Sequence, residues 1–580
     1  MHTTEAVTHV PPPSHAASPP ERSRGLRVGG LLQVTAALLW APQAALIALA
    51  VNRVAMADFT TPVWPLGVGI LVLGLIRAGL DAVGTRKAFL AARSKVTQLR
   101  QEATQALART SPLAAHRTAS GLAASLLAEQ ADAILPYHAR FQPARLKASL
   151  VPPVLLVLVA SLSWVAALIL LLAAPLIPLF MALVGWQAKA ASTAQLAEMG
   201  DMNAFLLDRL RGLATIRTLS AVDATALRLR ANAENLRIRT LAVLRIAFLS
   251  SAVLELFSAL GVAMVAVYVG FHLLGHLGFG AWGSRLSLGE GLFVLMLAPA
   301  FFDPLRELSA AWHDRAAGQA AEEALRRLAQ VPLALPGADA TADPAPRASG
   351  PPEIKVTQLG FHHAGGEGVF ERLDFTVRAG ERVALTGVSG RGKSTLLALL
   401  AGLAPVTTGV IQIGGTPLNA HTAAALRARM AWIGQKPHLF AASFEANITM
   451  GRADISPAAV RQAIRLAALE PVRAAHGGVI GEGGIGLSGG EAMRLALARA
   501  AAPPGADLIL ADEPTAHLDR ATARQVREGL LALAAGRTLI IATHDLELAA
   551  AMDRIIDLDR LDTAASGLEP DPIRLNQPDR

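Results

Sequence analysis

Gly387-Val388-Ser389-Gly390-Arg391-Gly392-Lys393-Ser394 lies between an apolar strand pattern at 382–385 and a helical one at 394–400. Strand, glycine loop and helix, in that order, make a cradle for nucleotide phosphates. Glycines let backbone N–H groups turn inward, and the helix N-terminus adds its dipole. Gly387, Ser389, Gly390, Gly392 and Thr395 would line the cradle, with Lys393 on the β- and γ-phosphates and the Ser394 hydroxyl on Mg²⁺. A second buried strand pattern, 508–511, ends in two acids. Asp512 is placed to hold Mg²⁺ through water, and Glu513 to polarise an attacking water. Set after that strand and that loop, these acids point to nucleoside triphosphate hydrolysis rather than to a solvated surface pair.

These residues need an α/β scaffold. Beyond residue 352 short apolar strands alternate with helices rich in Ala, Leu and Arg, as such a scaffold requires. Residues 331–352, rich in Pro, Ala, Asp and Gly, read as a linker. The expected organisation is a disordered tail (1–25), a transmembrane domain of six helices (26–330), the linker (331–352), a nucleotide-binding domain (353–565) and a C-terminal tail (566–580). His2, His9 and His15 in the first tail fit no metal-ligand spacing.

The first half is built for lipid. The whole chain is 52% hydrophobic and only 17% charged, with a mean hydropathy of +0.41. Apolar runs lie at about 28–51, 63–83, 150–163, 164–185, 247–274 and 288–305, each approaching the ~20 residues that cross ~30 Å of hydrocarbon. Arg22, Arg24 and Arg27 precede the first run; Arg86, Lys87, Arg93 and Lys95 follow the second; Arg140, Arg145 and Lys147 precede the third; Lys189 follows the fourth. The opposite turns carry little more than Arg53 and Arg285, so both termini and the ATPase domain are expected in the cytoplasm. The net charge of +8 is accordingly assigned to lipid headgroups and topology, not to nucleic acid. With no cysteine, the chain itself has no disulfide or thiolate chemistry. The long stretches at 84–148 and 186–246 read as helices that run far beyond the membrane and turn back. Arg77 and Asp81 share one face of the second span, four residues apart, where they can pair.

Further motifs resemble those of the ATP-binding-cassette superfamily. Leu487-Ser488-Gly489-Gly490 is similar to its signature, which implies that Ser488, Gly489 and Gly490 bind the γ-phosphate of ATP held by the opposite subunit. Gln435, after a strand at 430–434, resembles the Q-loop residue, which implies that it senses and helps hold Mg²⁺, takes part in catalysis and contacts the membrane domain; Asp519 resembles the D-loop aspartate. His544, after a strand at 539–542, resembles the switch histidine, and Glu482 an acid that touches intracellular helices. The resemblance implies a membrane all-α domain of six helices followed by an α/β P-loop ATPase domain, an ABC exporter half-transporter. Three positions depart from the pattern. His363 falls where an aromatic, usually Tyr, stacks on adenine, with Phe361 as a possible helper; Glu491 follows the signature where Gln is commoner; His517 occupies a usually small or polar D-loop position.

Two membrane stretches narrow the resemblance. One is 121–152, with Glu129, Gln130, Asp132, Tyr137, His138, Arg140 and Phe141; the other is 297–308, with Pro299, Phe301, Phe302, Asp303, Pro304 and Arg306. Together they resemble the CydD-type half of the bacterial CydDC exporters. That resemblance implies a CydC-type partner in a heterodimer in the bacterial inner membrane, export of cysteine and glutathione to the periplasm, and support of cytochrome bd assembly. Haem is the alternative cargo, for which His272 and His313 are candidate ligands, and Arg77, Arg245 and Arg306 are candidate contacts for a carboxylate cargo. A homodimeric lipid or drug exporter and a cargo-free regulator remain open on the residues alone.

Overall fold

The computed structural model describes residues 24–57, 62–115, 117–175, 212–282, 285–338, 350–363, 368–481 and 484–560, with scattered positions between 194 and 210. Residues 1–23 of the expected N-terminal tail, the whole expected C-terminal tail, Lys189 and Glu482 lie outside the described residues, while Arg24 and Gly25, expected in the tail, begin a helix. The chain divides into two compact units. One comprises 1–102 and 121–327, the other 103–120 and 328–580.

The first unit is helical. Its apolar N-terminal run forms two helices, α1 (Arg24–Leu38) and α2 (Trp40–Ala55). Pro42 explains the break, because it has no N–H to donate to the Leu38 carbonyl one turn back. Next comes α3 (Trp64–Arg109), 46 residues long, and later a helix of 52 residues, Val222–Leu273. Such lengths far exceed a bilayer crossing. Among the described residues five helical stretches are long and apolar enough to cross a membrane: Arg24–Ala55, Trp64–Arg109, Ser120–Ala160, Glu255–Leu273 and Leu288–Ala310. The expected fourth run begins in the shorter apolar helix Trp164–Ala173 and leaves the described residues after Pro175. Ser163 divides it from the third run by accepting a hydrogen bond from the Ala166 N–H as an N-cap. Val34, Leu155, Leu170, Val265, Leu297 and Phe302 centre the core of this unit.

A π-helical turn at Tyr137–Phe141 interrupts the third stretch. It turns His138 inward, where Nε2 lies 3.1 Å from Glu322 on the helix Trp312–Leu328. That hydrogen bond, with a second from Arg326, holds the Glu322 carboxyl down to about 2.

The second unit holds two sheets. β1 (Ile354–His362), β2 (Gly368–Val377), β4 (Thr408–Ile413) and β5 (Thr416–Pro417) form an antiparallel sheet in the order β2-β1-β4-β5. β3 (Arg382–Thr386), β6 (Met430–Ile433), β7 (Leu508–Asp512), β8 (Thr538–Ala542) and β9 (Arg554–Asp557) form a parallel sheet in the order β6-β7-β8-β3-β9. The central strands are apolar on both faces because both are covered. The end of α3 belongs to this unit. Beyond it Thr110 bridges Ala334 in strand fashion, and buried Ser111 donates from Oγ to the Leu403 carbonyl at 2.6 Å. The stretch expected to be wholly helical, and the start of the expected linker, are therefore tied together here. Two backbone bonds hold them, from Ser111 N to Leu333 O and from Leu335 N to Arg109 O.

Candidate active site

The parallel sheet delivers the predicted residues from the carboxyl ends of four strands. β3 leads into the glycine loop, β6 into Gln435, β7 into Asp512 and Glu513, and β8 into His544. Adjacent parallel strands in register end at one level, where α/β sheets place their ligand crevice. Asp512 pairs with Ala542, and Leu385 with Ala542 from the other side, so loops more than 100 residues apart become neighbours.

Gly392 has φ of 90° and caps the helix Lys393–Leu400, a backbone state in which glycine meets no Cβ penalty. Lys393 is buried, and its ammonium donates to the Gly387 carbonyl at 2.8 Å and the Val388 carbonyl at 3.1 Å. It also lies 3.0 Å from His544 Nε2. His544 Nε2 is 3.6 Å from Glu513 Oε1, and Gln435 Nε2 donates towards Glu513 Oε2 at 3.4 Å. Lys393, His544, Glu513 and Gln435 are thus one constellation. Glu513 has φ of 46°, a strained state for a residue with a side chain, and its N–H is anchored to the Ala542 carbonyl at 2.8 Å. Nothing in the sequence signalled that strain.

Asp512 is buried, which pushes its carboxyl above the usual range against a hydrogen bond from Ser394. Its Oδ1 is buried without a partner. A buried carboxylate oxygen lacking a donor, beside a serine hydroxyl, is a donor set that fits Mg²⁺. Thr395 follows Ser394 in the first turn of the same helix. Asp559 escaped the sequence reading: its Oδ2 accepts from the Val388 N–H at 2.9 Å, and its carboxylate lies 3.4 Å from Arg391, steadying the loop from 171 residues further on. No local motif marks it.

Ser488, Gly489, Gly490 and Asp519 form a second group. Ser488 caps the helix Gly489–Ala501 in a capping box, with Glu491 accepting from the Ser488 N–H at 2.7 Å. That bond holds the Glu491 carboxyl below its usual range. Glutamate in place of glutamine is explained, because either side chain closes the box, and the Ser-x-x-Glu spacing was readable in advance. A Cβ on Gly490 would overlap Thr522, whereas one on Gly489 would meet open space. Asp519 caps the helix Arg520–Leu533 by accepting from the Ala521 and Thr522 N–H groups, and His517 has φ of 65°. At the adenine position Phe361 is a core residue, only 4% exposed, so it cannot help stack a base. His363 remains half-exposed, its ring 5.1 Å from that of Phe361 and edge-on to it.

Family models match both halves of this geometry: ABC transporter transmembrane region over residues 28–305 and ABC transporter over 370–516. The transport ATP-binding protein AarD of Providencia stuartii is 36% identical over 92% of this chain and 90% of its own length. The chain belongs to the ABC transporter family. It is also 35% identical to the glutathione/L-cysteine transport system ATP-binding/permease protein CydD of Escherichia coli, over 90% of this chain and 89% of that one. A solved bacterial Atm1-family ABC exporter with ATP bound shares the fold, with a TM-score of 0.74 at 22% identity and 93% of each chain covered. This ABC transporter is a multi-pass membrane protein whose ATPase domain couples ATP hydrolysis, with Mg²⁺, to transport.

Other expectations change in the membrane unit. Arg77 makes no ion pair with Asp81; its guanidinium lies over the Trp40 ring, 5.1 Å from the centroid. The indole face competes for the cation and wins it from a flexible carboxylate one turn away. Arg306 pairs with Asp303 and with Glu255, so its charge is already met. His272 is buried, and its Nε2 accepts from the Leu286 N–H at 3.1 Å, a structural role. Arg245 is exposed, and the His313 side chain lies outside the described residues.

Proposed function

We propose that this chain is one half of a heterodimeric exporter, paired with a CydC-type subunit in the bacterial inner membrane, that moves cysteine and glutathione from cytoplasm to periplasm and thereby supports cytochrome bd assembly. The observation that carries this reading is the identity of 34–36% over most of the chain with CydD proteins named for glutathione and L-cysteine transport and with AarD. A CydC named for the same transport in Bacillus subtilis is 30% identical over 84% of the chain.

ATP enters at the glycine loop, where the Gly387–Ser394 backbone and Lys393 receive its phosphates. Ser394, Gln435 and Asp512 would hold Mg²⁺, which would supply positive charge against the phosphates. Glu513, fixed by its Ala542 anchor, polarises the attacking water. His544 and Gln435 flank it on the γ-phosphate side. Ser488, Gly489, Gly490 and Asp519 complete the site on the partner's nucleotide, and His363 stacks on adenine. ATP then clamps two nucleotide-binding domains together, hydrolysis releases them, and the cavity opens alternately to each side. Both termini and the ATPase domain face the cytoplasm on the positive-inside rule.

Uptake of labelled glutathione and cysteine into inside-out vesicles containing this chain and its partner tests the reading. ATP-dependent uptake should fall on the order of a hundredfold in Glu513→Gln. ATPase activity without uptake of either thiol overturns the thiol assignment and brings haem forward.

A further inference from the structure

Within the membrane unit a cavity of 850 Å³ opens among α1, α2, α3 and the helices Gln142–Ala160 and Leu288–Ala310. That volume suits a small organic ligand. Its wall carries charges of two kinds. Lys147 is paired with Glu307 at 2.5 Å, and Asp303 with Arg306. Arg77 and Asp81 also line it, one turn apart on α3, and neither has an ion-pair partner among the described residues. Trp40 holds the Arg77 guanidinium from one side only. Gln43 donates from Nε2 to the Ile70 carbonyl at 3.2 Å, and its Oε1 is buried without a partner.

Uncompensated charge within a span is costly, and it persists where a ligand completes it. The cavity therefore offers one available cation and one available anion, one turn apart on α3. We propose that it binds the head of an α-amino acid: Arg77 takes the carboxylate and Asp81 the ammonium.

This inference rests on the thiol-export reading and deepens it. Cysteine and glutathione differ greatly in size, yet each has one carbon bearing both an ammonium and a carboxylate. A site that reads this head accepts both and leaves the tail to the remaining cavity. Nothing in the wall reads the thiol itself. A porphyrin has no ammonium for Asp81, and Met296 is the only soft or imidazole-type iron ligand among the described lining residues.

The test is binding to the full chain with its partner half in lipid nanodiscs, by titration calorimetry. The probes are glutathione, L-cysteine, N-acetyl-L-cysteine, which lacks the ammonium, and cysteamine, which lacks the carboxylate. The unaltered complex should prefer cysteine over each truncated probe by roughly tenfold to a hundredfold. Arg77→Gln should erase the preference over cysteamine alone, Asp81→Asn the preference over N-acetylcysteine alone, and Arg77→Lys should keep most of both. Each readout is a ratio within one protein, so a smaller folded fraction does not imitate it. Preferences unchanged in Arg77→Gln and Asp81→Asn, or equal binding of all four probes, overturn the site and leave thiol export standing. No binding of either cysteine or glutathione overturns both.

Discussion

In the ATP-binding unit the charged groups of the site touch one another: Lys393 meets His544, His544 and Gln435 meet Glu513, and Asp512 meets Ser394. In the membrane unit Arg77 and Asp81 face a cavity with no such partner, although Lys147 and Arg306 nearby are paired. The difference follows from architecture. A parallel sheet ends its strands at one level, so short local motifs converge wherever they lie in the chain. A helical bundle builds its cavity from single residues on several faces, and no two of them need be near in sequence. The first kind of site is written in motifs; the second is written in which face each helix turns inward.

The sharpest way to break this comparison is at the signature glycines. Gly490→Ala would drive a methyl into Thr522, so it should cost about 1–3 kcal/mol of stability and most ATPase activity, with Thr522→Ala restoring both. Gly489→Ala meets open space within this subunit. It should leave thermal unfolding unchanged yet lower ATPase activity roughly tenfold if that face receives the partner's nucleotide; equal activity would remove Gly489 from the site. Phosphate release and thermal melts of the purified complex separate the two.

A smaller effect is expected at the paired network of the membrane unit. The His138 and Arg326 hydrogen bonds keep Glu322 at about 2, so its contribution is complete above the ordinary value of 4.5 and is lost as pH falls towards 2. Glu322→Gln should cost about 1–2 kcal/mol at neutral pH and flatten the acid dependence of unfolding inside that window. An unchanged acid profile would show that paired charges in this unit are as dispensable as surface ones.

The smallest effect is expected at the adenine position. His363→Tyr adds ring area, and should lower the KM for ATP about two- to tenfold with kcat unchanged. An unchanged KM would mean that His363 does not stack on the base.

The glycine loop, the acids after β7, the signature and the switch histidine were legible because each is a short string whose chemistry depends on neighbours in sequence. The capping role of Glu491 was legible for the same reason, through its spacing from Ser488. Long helices were legible from composition, since a bilayer accepts little else. Other features depended on distant partners. Asp559 steadies the glycine loop from just beyond β9, and the left-handed backbone of Glu513 needs the Ala542 carbonyl beside it. Phe361 and His363 are two residues apart, but the first lies on β1 and enters the core while the second lies just beyond the end of β1 and stays half-exposed, a boundary set by where pairing with β2 stops. Arg77 and Asp81 have the right spacing to neutralise each other, and the packing of Trp40 from α2 against the arginine kept them apart. The sequence by itself determined the chemistry of the ATP site, the lipid-compatible half and the order of both. Tertiary structure decided which charges are satisfied and which stay available, because compensation depends on what lies within a few ångströms, and that is set by packing rather than by order along the chain.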